Sequence, residues 1–448
     1  MTPPIALALV RELTGFKAAS LDANVLDKAQ LCAVDFLSCA YAGRQMIYAE
    51  QAIAAVQPWA VLHGAPIIAT DIRVAPADAA YVNSLMAASA SRTDMHPAST
   101  SHPAAVIFPV ALACAAVRPV SGLEFIAAVV AGYEAMGRLG RIMVDAPFKK
   151  RFRATSVIGS VGGAITAARV LGLSEAQAVN ALSISANAAA GLMEWGHSGE
   201  LDLFYQPANA SRAAIHAALI AREGATSSAT ILEGPGGMLN AFGGLARAAE
   251  LLHRGEGWEI EQIEYKPVPA CVFVQAAAAA AENIINEHGA VGRQVESVKL
   301  RTFASAISYP GCDNAGPIDA MQPARMSLQY TVASVLARAE LSDRNFIEIN
   351  NPLTRSLASR VEVEEAPEFT AAFPARQGAE LEVKLAGGAT ITQRVDEVPV
   401  FTPERVCARF RSAAQPLFDA KRIAALEQAC LDCSKLERVD ELFSMTSP

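Results

Sequence analysis

A chain of 448 residues, 52% hydrophobic and only 18% charged, has the material for two packed domains and too little solvated polar sequence for a disordered protein. A net charge of −8 argues against a nucleic-acid-binding protein, which is ordinarily basic, yet leaves room for a local cationic pocket and an anionic substrate. Eight irregularly spaced cysteines in a chain this large read as reduced thiols and point to the cytoplasm.

Alanine dominates the apolar fraction, so most of the chain should be helical. The opening MTPPIALALVRELTGF has no basic stretch before its apolar run and reads as the start of a helix, not a signal peptide. Residues 24–42 carry apolar residues at helical spacing and stop before Gly43, which reads as a C-cap. Residues 76–90, opened by Pro76, form a small-residue helix, and 122–140 form another. Ser174 with Gln177 three residues on is a capping box for the next helix. Residues 209–222 are helical and close at Gly224. No membrane span is expected, because Ala-rich stretches such as 276–281 are weakly hydrophobic and run straight into Glu282.

The texture changes near residue 260. The KPVP run at 266–269 breaks the helical pattern. An Ala-rich helix follows, then strand-like alternation at 295–302, 361–365 and 380–385, with Gly387 and Gly388 turning the last into 390–395 as a hairpin. Residues 326–341 read as a helix among these strands, and the chain is helical again after Pro403. The pattern is mainly α, a large helical domain with a smaller α+β domain: helical over 1–262, α+β over 263–398, and C-terminal helices over 399–448 that return to the first domain.

Candidate chemistry concentrates in few places. Only seven histidines occur, and two fall in the loop-like window 93–105, TDMHPASTSHPAA, together with Asp94. His96 and His102 could act as general acid or base, or the window could be a capped, hydrogen-bonded turn. As a metal site the pattern is weak, since no third ligand is evident, and no metal is expected. Lys149, Lys150, Arg151 and Arg153 precede a glycine-bearing small-residue helix. They read either as carboxylate capture at a helix N-terminus or as a solvated charge run. The glycines fit no dinucleotide fingerprint, and EGPGGM at 233–238 lacks the Lys and Ser/Thr of a phosphate loop. Cys430 and Cys433 have no second pair at zinc spacing and fit i, i+3 on a helix.

Several blocks together resemble the MmgE/PrpD family. They are TDMH at 93–96 followed by SHPAAVIFPVALA, GYEAMGRLG at 132–140, FRATSVIGSVGGAITAARVLGL at 152–173, ILEGPGGML at 231–239, YKPVPAC at 265–271 and ARMSLQYTVA at 324–333. They come in the family order and span most of the chain. The resemblance implies a helical domain, an α+β lid with the active site between the two, a homodimer, and chemistry without a cofactor. The family's activities include 2-methylcitrate dehydratase, cis-aconitate decarboxylase and iminodisuccinate epimerase.

Carried over by this resemblance, His102, His96 and Asp94 fall in the active-site loop, with Lys266 in the K-x-x-P segment and Tyr309 at a site tyrosine. Arg325 helps form the pocket wall, and Arg151 and Arg153 would hold carboxylates. The chain departs from the decarboxylase pattern at three histidine or lysine positions, where it has Arg153, Cys271 and a residue near Leu203, and Thr93 replaces an acidic residue. Arginine at 153 suits a substrate richer in carboxylates, which favours an epimerase acting on a polycarboxylate such as iminodisuccinate, with Cys271 in the binding pocket. A dehydratase-like or decarboxylase-like lyase on a tricarboxylate is the alternative, and a helical interaction protein with a decayed site is a third.

Overall fold

The computed structural model describes residues 3–447, and the chain divides into two compact units. The first comprises residues up to Leu192, Asp202–Tyr265, and the chain from Thr402 onward. The second comprises Met193–Leu201 and Lys266–Phe401.

The first unit is helical. Its main helices are α1 (Ile5–Gly15), α2 (Ala23–Arg44), α3 (Pro76–Ser89), α4 (Ala104–Val117), α5 (Gly122–Met143), α6 (Ala154–Leu171), α7 (Glu175–Ala186) and α8 (Asp202–Arg222). At its centre lies α6, every residue of which except Arg169 is buried. It packs against α4, α5, α7 and α8. Among the described residues it is the one helix long and apolar enough to cross a membrane, but here all of it except Arg169 is buried. A helix apolar on all sides is a core helix, and the glycines and serines of α6 let its neighbours approach closely. The capping box of α7 forms as its sequence indicates, with the Ser174 hydroxyl accepting from the Gln177 N–H and the Gln177 side chain accepting from the Ser174 N–H.

Gly43 is not a C-cap. It lies inside α2, where a Cβ would sit 1.7 Å from the Met86 carbonyl oxygen of α3. The small-residue texture of α3 and this glycine therefore serve one backbone-to-backbone contact. Helix α8 begins at Asp202, earlier than the apolar pattern suggests, and carries Pro207 within it. Two of the C-terminal helices, Pro403–Ala414 and Ala420–Leu431, pack on α2. There the Arg409 guanidinium donates to the fully buried Asp35 carboxylate. The C-x-x-C motif straddles the end of the second of these helices. Cys430 and Cys433 are both buried, and the Cys433 carbonyl lies against Gly122 at the start of α5.

The second unit holds a four-stranded sheet of β1 (Val295–Thr302), β2 (Val361–Glu365), β3 (Ala379–Leu385) and β4 (Thr390–Val395), in the order β2-β1-β3-β4. β1 pairs parallel with β2 and antiparallel with β3, and β3–β4 is the expected hairpin, turned at Gly388 with φ 80°. Val298, Leu300, Leu381 and Val383 are buried beneath α9 (Gln275–His288) and α10 (Leu328–Arg338). The opposite face carries charge pairs such as Lys299–Glu364 and Arg301–Glu380. The sequence suggests one helix over 326–341; the chain instead breaks at Ser327, whose hydroxyl caps α10 by accepting from the Tyr330 N–H.

Substituting Gly43→Ala should cost about 2–3 kcal/mol of unfolding free energy in urea titration, because backbone cannot yield to the added methyl. Gly15→Ala, with no atom near the added carbon, should be neutral or slightly stabilising.

Candidate active site

In the helical unit the window 93–105 is a loop joining α3 to α4, and it is held from several directions. Met95 exchanges backbone hydrogen bonds with Glu264, and the His96 N–H donates to the Ser101 carbonyl. Asp94 is fully buried. One of its carboxylate oxygens accepts from the Ala104 N–H at 3.0 Å, at the first turn of α4, and the other from the Tyr133 hydroxyl of α5 at 2.7 Å. Burial and the nearby Asp35 carboxylate push Asp94 up to about 7, against these two hydrogen bonds.

His102 is the loop's partly exposed histidine. Its Nδ1 lies 2.7 Å from the Asp94 carbonyl oxygen, and a carbonyl only accepts, so Nδ1 carries the proton and the neutral ring keeps its lone pair on Nε2. Its backbone N–H donates to the Thr155 hydroxyl of α6 at 3.0 Å. Arg153 is the residue just before α6, and its own N–H donates to the Gly191 carbonyl. His102 and Arg153 are thus brought to the same end of the same helix, the N-terminal end, where orphan N–H groups and the helix dipole favour anions. The Arg153 guanidinium donates to the Leu203 carbonyl at the start of α8.

His96 and Asp94 have a different place from His102. His96 is 1% exposed, with Nε2 2.8 Å from a Glu259 carboxylate oxygen and Nδ1 2.8 Å from the Ser99 hydroxyl. Both ring nitrogens are committed to neighbours inside the protein, which is the capped-loop alternative. Burial raises Glu259, but hydrogen bonds and charge from His96 and Arg141 outweigh it and hold the carboxyl at about 2. The Glu259 N–H donates to Glu134, which pairs with Arg138, which in turn reaches Glu12. Room for this network comes from α5: a Cβ at Gly137 would strike Glu259, and one at Gly140 would lie 2.0 Å from the Ser99 Cβ.

The basic run divides. Arg151 is exposed at the end of the short helix Ala146–Arg151, its Nε donating to the Pro147 carbonyl, and Lys150 is exposed beside it. Arg153 alone is carried to the end of α6. Arg151 is therefore a solvent-exposed charge.

In the α+β unit, Lys266, Cys271, Tyr309 and Arg325 come from three stretches that are stitched together. Lys266 is 6% exposed and opens the 266–271 turn. That turn is organised by Gln275, whose side chain bonds the Val268 N–H and the Val268, Ala270 and Cys271 carbonyls. The Cys271 N–H donates to the Arg325 carbonyl, the Cys312 N–H to the Tyr309 carbonyl, and the Leu328 N–H to the Cys312 carbonyl. The Tyr309 ring stands edge-on to Phe273 at 5.1 Å and tilted against Trp195 at 6.5 Å.

Sequence reading passed over Glu259, Tyr133, Thr155, Gln275 and Cys312. The i, i+4 pair Glu134–Arg138 was one visible signal of a charged network along α5. The others act across large sequence separations that spacing does not reveal.

Comparison with known families divides the chain near residue 260 as well, although its second part continues into the C-terminal helices. The MmgE/PrpD N-terminal domain matches residues 8–250, and the MmgE/PrpD C-terminal domain matches residues 268–432. The chain belongs to the MmgE/PrpD family. It is 23% identical to a cis-aconitate decarboxylase of Aspergillus terreus over 95% of this chain and 92% of that protein. It is 25% identical to a cis-aconitate decarboxylase-like protein of Aspergillus oryzae over 99% of this chain and 97% of that protein. It is 26% identical to the human cis-aconitate decarboxylase over 88% of this chain and 84% of that protein. These relatives carry lyase names, so they do not support the preference for an epimerase drawn from Arg153.

Removing the Glu259 charge tests the buried network. Its folded value of about 2 lies below the usual value of about 4.3, so its contribution is fully present above that range and is lost as pH falls toward 2. Glu259→Gln should cost about 3 kcal/mol at neutral pH, and the gap from the parent protein should close as pH drops from about 5 to about 2 in chemical denaturation.

Proposed function

We propose that the chain is a cofactor-independent lyase acting on a tricarboxylate, with proton transfer at the carbon beside a carboxylate. The observation that carries this reading is His102, its tautomer fixed by the Asp94 carbonyl and its loop tied to α6, at the helix end where Arg153 also sits. A base at Nε2 and a permanent cation with helix N–H groups nearby are what abstraction or return of a proton beside a carboxylate requires. In a dehydration the base takes the proton and the departing hydroxyl leaves with a proton from an acid. In a decarboxylation the C–C bond to carbon dioxide breaks, and the electron pair left behind takes a proton from the enzyme. Lys266 or Tyr309 would be the second proton-transfer group, and Arg325 a carboxylate holder. The names of the relatives support this class of reaction.

The second reading is the epimerase acting on iminodisuccinate, and one observation favours it. Arg153 stands where the decarboxylase pattern has a histidine, the pattern's lysine falls near Leu203, and the Arg153 guanidinium bonds the Leu203 backbone. The two departures therefore fall in neighbouring stretches, and the Arg153 charge would serve where the pattern's lysine charge is missing. A fixed guanidinium binds carboxylates bidentately where a histidine would exchange protons, which suits a substrate with more carboxylates.

Incubation of the purified protein with cis-aconitate, 2-methylcitrate and iminodisuccinate in heavy water, followed by mass spectrometry, separates the two. The lyase gives a product that has lost carbon dioxide or water. Recovery of intact iminodisuccinate carrying one deuteron, with no mass loss from either tricarboxylate, would overturn the lyase reading in favour of epimerisation. His102→Gln should reduce turnover by about a hundredfold or more while leaving the melting temperature nearly unchanged. His96→Gln should lower the melting temperature, since it breaks a buried pair.

A further inference from the structure

Of the eight cysteines, seven are buried and Cys271 is partly exposed. Cys271 has a sulfur neighbour: the Cys312 thiol donates to its Sγ at 3.7 Å. The contact is built into the chain trace. Cys271 is bonded through its N–H to the Arg325 carbonyl, and Cys312 is bonded through its carbonyl to the Leu328 N–H, so both backbones are fastened to one short stretch. A disulfide needs about 2.05 Å between sulfurs, so less than about 2 Å of closure separates the two states. Burial, reinforced by Cys271, pushes the Cys312 thiol well above its ordinary range. Cys312 therefore stays protonated, and Cys271 is the sulfur an oxidant meets first.

We propose that Cys271 and Cys312 form a peroxide-oxidisable dithiol that closes to a disulfide and switches off the protein. The Cys271 sulfur attacks one oxygen of hydrogen peroxide, the O–O bond breaks, and a sulfenic acid and water result. The Cys312 sulfur then attacks the Cys271 sulfur. The S–S bond forms, the S–O bond breaks, and the hydroxyl leaves with the Cys312 proton as a second water. The two thiols lose two electrons in total, and the peroxide gains them. Closure draws the 266–271 turn toward the Tyr309–Cys312 turn and shifts the backbone bond between Cys271 and Arg325. The loss of turnover rests on the functional reading given above, which places Lys266, Tyr309 and Arg325 in the site; the oxidation chemistry does not.

The test is peptide mapping of the full-length reduced protein after one equivalent of hydrogen peroxide, with alkylation under denaturing conditions. The expected result is a Cys271–Cys312 crosslinked peptide, lighter by two hydrogens and reversed by dithiothreitol, with turnover falling by about a hundredfold and returning on reduction. In Cys312→Ala treated with at least two equivalents of hydrogen peroxide, Cys271 should proceed through sulfenic to sulfinic acid, which dithiothreitol does not reverse; Cys312→Ser serves if the alanine variant misfolds. Three results would overturn the proposal: Cys271 found as sulfinic acid in the parent protein with Cys312 alkylated, a crosslink between other cysteines, or complete crosslinking with unchanged turnover. Failure of the lyase reading would show instead in the untreated protein, which would turn over none of the tricarboxylates while the crosslink still formed.

Discussion

The helical unit depends on the buried hydrogen bond between His96 and the Glu259 carboxylate. A carboxylate taken out of water is costly, and it persists there only because His96, Arg141 and its surroundings meet its oxygens. The pair pins a proline- and serine-rich loop, a segment that on composition alone would be mobile, onto α5. Asp94 pins the same loop a second time, through Tyr133 and the first turn of α4. With both anchors set, the one loop histidine that is partly exposed has a defined ring orientation. Two of the loop's three titratable groups thus hold the third in place, a division of labour that matches the demand for a preorganised base.

The relatives share less than a third of their residues with this chain yet align along nearly all of it. The structure gives a physical reason. Three of the family-like blocks lie on the buried small-residue helices α4, α5 and α6, where close backbone separation favours glycine or alanine. The departures expected from the sequence motifs fall near the end of α6 and in the 266–271 turn. At the first of these a guanidinium occupies the locality of two departures; at the second a thiol stands where a histidine is expected, next to another thiol.

Much of the fold was legible in the sequence. The helices at 76–90, 122–140 and after Ser174, the strand at 295–302 and the Gly-Gly hairpin are found within a few residues of the expected places, because periodicity and capping are local properties. Gly43 was misread because a glycine after an apolar run ends a helix in most settings, and only the Met86 carbonyl across from it shows otherwise. The membership of Met193–Leu201 in the second unit left no trace in composition, since it rests on contacts to Tyr309 and Pro310 far along the chain. Within the candidate site, His102 was visible through its motif. The split between His102 and His96 was not, because it is decided by Glu259, 163 positions away.

Assembly of the helical unit has a timing problem. Asp35 is fully buried, and its partner Arg409 lies 374 positions later. At about 5–20 residues per second on the ribosome, roughly 20–75 s pass between emergence of the two. Throughout that interval the α2 carboxylate lacks its hydrogen-bonded partner Arg409 and has only the charge of Arg92 nearby. The first unit therefore cannot complete itself during synthesis of its own first segments; it waits for the tail of the chain, and a nascent polypeptide stalled inside the second unit exposes an open apolar seam to the cell's quality control.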